Sequence, residues 1–132
     1  MGHVGQPYRV LIVDDDPVSR RLEQEILDSP NYLVTEASSG MAALDALREH
    51  SFDVVLLDKP MPGMDGVEAT RQILKKYPDT KVMCLSMHEE AAFIKQMMEV
   101  GAVGYVFKDS SKEELKEAIT AVQNGKKYFN QK

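Results

Sequence analysis

Val10-Leu11-Ile12-Val13-Asp14-Asp15-Asp16-Pro17 is an apolar run that breaks into three acids and a proline, and Val54-Val55-Leu56-Leu57-Asp58 repeats the device with one acid. Short apolar runs bounded by turn formers read as strands buried on both faces, the kind found in parallel sheets. If the two strands are adjacent and parallel, their carboxyl ends share one edge of a sheet, and Asp14, Asp15 and Asp58 converge on one pocket.

Working outward, strands are expected at Tyr8 to Val13, Leu33 to Glu36, Phe52 to Leu57, Lys81 to Ser86 and Val103 to Phe107. Helical periodicity fills the gaps. Pro17 to Asp28 carries Val18, Leu22 and Ile26 at four-residue spacing, with Asp16 as cap and Pro17 in the first turn. Gly40 to Glu49 turns Leu44 and Leu47 inward, Val67 to Lys76 and Glu89 to Val100 follow, and a last helix after Ser110-Ser111 lines up Leu115, Ile119 and Val122. Alternating βα units imply a parallel sheet covered on both faces, because such crossovers are right-handed. The expectation is a flavodoxin-like (βα)5 three-layer sandwich with a five-stranded parallel sheet in the order 2-1-3-4-5, reversing between the first and third strands. Residues 1–7 read as an N-terminal extension, 8–128 as one domain, and 129–132 as a tail or the start of a linker to a further domain.

Composition narrows the function classes. A chain of 132 residues buries a core without disulfide or structural metal. A net charge of -5, with no basic run beyond Lys126-Lys127, argues against direct binding to nucleic acid or an anionic membrane. Cys84 has no partner for a bridge and suits a reducing compartment, Met1 to Pro7 lacks the pattern of a secretory signal, and no apolar stretch is long enough to span a bilayer. A cytoplasmic location is expected.

The converging groups suggest phosphoryl chemistry. Carboxylates hold hard cations through oxygen, so Mg2+, with Mn2+ as an alternative, is the expected cofactor, bound by Asp15 and Asp58 directly and Asp14 through water. With the charge screened, a carboxylate can attack phosphorus, and Asp58 is the candidate nucleophile. Lys108 and Ser86 end the fifth and fourth expected strands, where an ammonium and a hydroxyl would meet phosphoryl oxygens. Blander readings stand beside these. Asp16 reads as a helix cap and stays outside the site; Ser86 also serves as a turn former, Lys108 as a surface charge and Tyr105 as a core ring. Met97 and Met98 read as shared between packing and a partner surface.

In this order, Asp14-Asp15, Asp58-Lys59-Pro60-Met61-Pro62-Gly63-Met64-Asp65-Gly66, Leu85-Ser86 and Gly104-Tyr105-Val106-Phe107-Lys108 resemble the receiver domains of two-component response regulators over nearly the whole chain. The resemblance implies that Asp58 takes phosphate from a sensor histidine kinase or a histidine phosphotransfer protein. It implies Mg2+ on Asp14, Asp15, Asp58 and the Pro60 backbone carbonyl, and switch roles for Ser86 and Tyr105 acting on the face of the fourth helix, fifth strand and fifth helix. Slow loss of its own phosphate is the only catalysis implied, so the chain is not expected to be a metabolic enzyme. Lys108-Asp109-Ser110-Ser111-Lys112-Glu113-Glu114-Leu115 and Gly125-Lys126-Lys127-Tyr128 look most like the NarL/FixJ-type branch. That branch implies transcriptional control through a DNA-binding module outside this chain, and allows a homodimer on phosphorylation. Lys59, Met87 and Asp109 depart from the usual pattern. Two rivals remain open: a haloacid-dehalogenase-like phosphatase with Asp14 as nucleophile and Asp16 as acid-base group, and a pseudo-receiver that only binds proteins.

Overall fold

Alternate residues of a strand point to opposite faces, and here both faces are apolar. The computed structural model describes residues 7–58, 66–86, 91–107 and 111–129, with Ser86 described in its backbone alone. The strands are β1 (Tyr8–Val13), β2 (Tyr32–Ala37), β3 (Val54–Asp58), β4 (Lys81–Ser86), β5 (Gly104–Phe107) and β6 (Tyr128–Phe129). They form one parallel sheet in the order β2-β1-β3-β4-β5-β6. The helices are α1 (Pro17–Ile26), α2 (Gly40–Glu49), α3 (Gly66–Lys76), α4 (Ala91–Glu99) and α5 (Lys112–Gln123).

Leu11, Val13, Val55, Leu57, Val82 and Cys84 enter one core, against Leu47 of α2, Ile73 of α3 and Met97 of α4. Val10, Ile12, Val54, Leu56, Met83 and Val106 enter the other, against Leu27 after α1 and Leu115, Ile119 and Val122 of α5. Every residue of β3 is buried, each apolar one contributing on the order of 2 kcal/mol. Register aligns the strand ends: Val13 lies opposite both Ala37 and Leu57, which sets Asp14 and Asp58 side by side at the carboxyl edge.

The expected order holds, with one addition. β6 pairs with β5 through Gly104 opposite Tyr128 and Tyr105 opposite Phe129, so the sheet runs one residue past the boundary expected at 128. Two residues leave no periodicity to read. Gly104 makes room for this strand, because a Cβ there would sit 2.4 Å from the Tyr128 carbonyl oxygen.

The apolar stripe expected on α1 is corrected. Val18 and Leu22 are 66% and 56% exposed, whereas Glu23 and Leu27 are buried. The cause is the helix's rotational phase. Asp16 caps it by accepting from the Val18 amide, and Arg20 reaches back to the Asp14 carbonyl, so the inward face carries Arg20, Glu23 and Leu27.

Candidate functional site

Because β1 and β3 are neighbours, the chain leaves the sheet at Asp14 and ends β3 at Asp58 on the same rim. Asp14, Asp15 and Asp58 each place a carboxylate oxygen within 4.8 Å of the other two. Asp14 and Asp58 are buried and Asp15 is exposed. The cluster expected from the two acidic strand ends therefore forms.

Asp14 is held at several atoms. Its amide donates to the Ala37 carbonyl at 3.0 Å, its Oδ1 accepts from the Asp16 amide at 2.9 Å, and its carbonyl accepts from Arg20 Nη1 at 2.8 Å. Its Oδ2 is buried without a hydrogen-bond partner among the described residues. A buried carboxylate oxygen left this way is costly unless a cation meets it. An all-oxygen donor set of this size suits a hard divalent ion, so the residues present fit Mg2+ or Mn2+.

Asp16 caps α1 through Oδ1 to the Val18 amide and Oδ2 to the Ser19 hydroxyl, the structural role expected of it. Tyr105 lies half-buried on β5, its ring 5.6 Å from those of Phe107 and Phe129. Ser86 ends β4 opposite Phe107, with only its backbone described. Lys108 and Pro60 lie outside the described residues, as do Lys59, Met87 and Asp109. Met97 is fully buried and Met98 is 44% exposed, which divides packing from surface between them as expected.

One site neighbour, Arg20, and one buried acid on the same helix, Glu23, were not foreseen. Arg20 Nε donates to Glu36 Oε1 at 3.0 Å while its Nη1 holds Asp14, which ties α1, β1 and β2 together beside the acids. The signal was present in helical spacing, since Arg20 follows Asp16 by one turn and its amide donates to the Asp16 carbonyl. Glu23 gave no signal, because an acid on a helix reads as solvated.

Residues 10–120 match the family model described as response regulator receiver domain. The transcriptional regulatory protein DegU of Brevibacillus brevis is 33% identical over 94% of this chain and 53% of its own length. The chain thus spans about half the length of the curated relatives it matches. A LuxR-family two-component response regulator from Aurantimonas sp. SI85-9A1 superposes with a TM-score of 0.86 at 34% identity, covering 93% of this chain and 89% of that one. The signal receiver domain of the NarL response regulator from Mycobacterium tuberculosis gives 0.84 at 35% identity, covering 91% and 98%.

Proposed function

The chain belongs to the response regulator receiver domain family, and on that premise we propose that Asp58 accepts a phosphoryl group from a histidine donor at the acidic rim. The phosphatase rival gives Asp58 no role, and the family match runs against it. What carries the proposal is the meeting of Asp58 with Asp14 and Asp15 within 4.8 Å.

A carboxylate oxygen of Asp58 attacks phosphorus, the phosphorus–nitrogen bond of the donor breaks, and the imidazole leaves. The product is an acyl phosphate, lost slowly to water. Asp14, Asp15, Asp58 and the Pro60 carbonyl would hold Mg2+, which when bound screens the repulsion between nucleophile and donor. Lys108 and Ser86 meet the phosphoryl oxygens as charge spreads over them. Asp58 is only 2% exposed, so little water competes for its carboxylate. Tyr105 and Ser86 pass the change to the α4-β5-α5 face, where Met98 stands exposed.

The partner that supplies phosphate is a sensor histidine kinase or a histidine phosphotransfer protein. α1 leaves the acidic segment at Pro17 and turns Val18 and Leu22 outward, an apolar face beside the rim for that donor to cover. The output we infer is transcriptional, through a DNA-binding domain such as the remaining half of the relatives provides room for, with homodimerisation following phosphorylation. The proposed setting is the cytoplasm, where the buried thiol of Cys84 stays reduced; no described helix is long and apolar enough to cross a membrane.

Labelling with a small acyl-phosphate donor and Mg2+, followed by mass spectrometry, tests the assignment. Modification of Asp58, lost in Asp58→Asn, is expected. Modification of Asp14, or none at all, overturns it.

A further inference from the structure

Asp15 is the exposed member of the acidic cluster, and no hydrogen bond among the described residues reaches its side chain. Its position therefore follows from the peptide that precedes it. That peptide is planar, so the direction of the Asp14 carbonyl sets the direction of the Asp15 amide and the placement of its Cα. The Asp14 carbonyl is held by Arg20 Nη1 at 2.8 Å. The guanidinium is itself oriented by Glu36, which accepts from Nε at 3.0 Å, and the pair is only 21% and 31% exposed. Arg20 comes from a capped helix and Glu36 from a strand paired with β1, so both ends of the clamp rest on regular structure.

We propose that Arg20 is a positioning residue for the divalent-cation pocket: its two-armed contact with the Asp14 carbonyl and Glu36 fixes the Asp14–Asp15 peptide so that both carboxylates face one ion. The inference rests on the reading that this pocket binds Mg2+. Two effects of Arg20 oppose each other there. Its charge repels a cation, but at a partly exposed site already facing an acid this repulsion is screened. Its planar fork holds two acceptors at fixed angles, which a lysine's single ammonium reproduces poorly. Supporting contacts one step removed from metal ligands typically govern affinity by about 10- to 100-fold, so positioning prevails over repulsion.

The test is calorimetric titration of the intact chain with Mg2+ alone, at fixed ionic strength, for the wild type, Arg20→Gln and Arg20→Lys. Positioning predicts that Kd rises about tenfold in Arg20→Gln and by a smaller factor in Arg20→Lys. Acyl-phosphate labelling of Asp58 should slow at low Mg2+ and return close to the wild-type rate at saturation, a split that general loss of structure does not produce. Urea midpoints in chelator establish that each variant is folded; should Arg20→Gln be unfolded, Arg20→Lys decides alone. Unchanged affinity in the folded variants, or tighter binding in Arg20→Gln, overturns the assignment. If the wild type takes up no Mg2+, the reading of the pocket fails instead, and the two failures are thereby separate.

Discussion

Asp14 combines full burial with a carboxylate oxygen that no described donor meets, and two further carboxylates lie within 4.8 Å. Like charges so close repel by on the order of 1 kcal/mol or more per pair even at an effective dielectric of about 20. Asp14→Asn keeps an oxygen for the Asp16 amide and turns an amide donor toward the other acids. In chelator it should raise unfolding free energy by about 1–2 kcal/mol. The wild type should gain about 2.7 kcal/mol at Mg2+ a hundredfold above its Kd, and the variant much less. Urea unfolding with and without Mg2+ checks both; equal gains in the two proteins would refute a cation role for Asp14. A different residue sets the alkaline limit. Tyr8 is pushed up to about 12, first by burial and then by Asp53 and Tyr32. A raised phenol pKa contributes stability fully present below its unfolded value of about 10, and lost as pH climbs through the folded value. Tyr8→Phe should therefore flatten the fall in urea midpoint between pH 10 and about 12. A residual slope is expected from Tyr128, also pushed up to about 12 by burial and by its hydrogen bond to Glu114. Matching pH profiles for wild type and Tyr8→Phe would contradict this. The acids were readable in sequence because they interrupt apolar runs; helical spacing puts Arg20 one turn from Asp16, but its contact was not readable, because the partner is a backbone carbonyl that any residue supplies.

At the scale of elements, legibility followed burial. β1, β3 and β4 are continuous apolar runs because helices cover both faces, and α5 showed Leu115, Ile119 and Val122 on one side because that side is core. α1 broke the rule. Two of the three residues of its most regular stripe, Val18 and Leu22, face outward while Ile26 packs against the core, and its phase is fixed by the Asp16 cap and the Arg20 contact, polar devices that hydrophobic periodicity cannot weigh. β6 was invisible for another reason: a two-residue strand exists only because β5 has an open edge and Gly104 has no side chain. Gly104→Ala would drive its Cβ to 2.4 Å from the Tyr128 oxygen, a backbone atom that cannot swing aside. β6 should undock, breaking the Tyr128 amide's bond to the Val103 carbonyl and the contact between Phe129 and Tyr105. Overpacking of this kind costs about 1–3 kcal/mol. Amide exchange should show Tyr128 losing protection while Val106 keeps it; retained protection at Tyr128 would mean the strand tolerates the methyl.

Across the whole molecule, the parallel topology places the acidic rim between two separate faces. All carboxyl strand ends meet one rim, so on the proposed function a phosphodonor would approach from that side, and the surfaces bordering it divide between α1 with α5 and α4 with β5. On the first side a cavity of about 390 Å³ opens between the helices, lined by Leu22, Glu23, Ile26, Val106 and Leu115. On the second, Met98 and Ile94 border Tyr105 and Phe107. The sheet holds these faces apart. On the proposed function, a donor protein seated on α1 would leave the α4 surface uncovered during transfer to Asp58. Leu22 is 56% exposed, so Leu22→Asp leaves both cores intact and places a charge where the donor's apolar contact is expected. Transfer from a phosphorylated histidine protein should fall about 5- to 30-fold, the effect of losing one or two kcal/mol of contact. Labelling of Asp58 by a small acyl phosphate needs no docking and should keep its rate. Met98→Asp, on the opposite patch, should leave both rates unchanged. Equal slowing of protein-borne and small-molecule labelling by Leu22→Asp would locate its effect in the pocket rather than at a partner, and a transfer defect in Met98→Asp would move the donor to the α4 side.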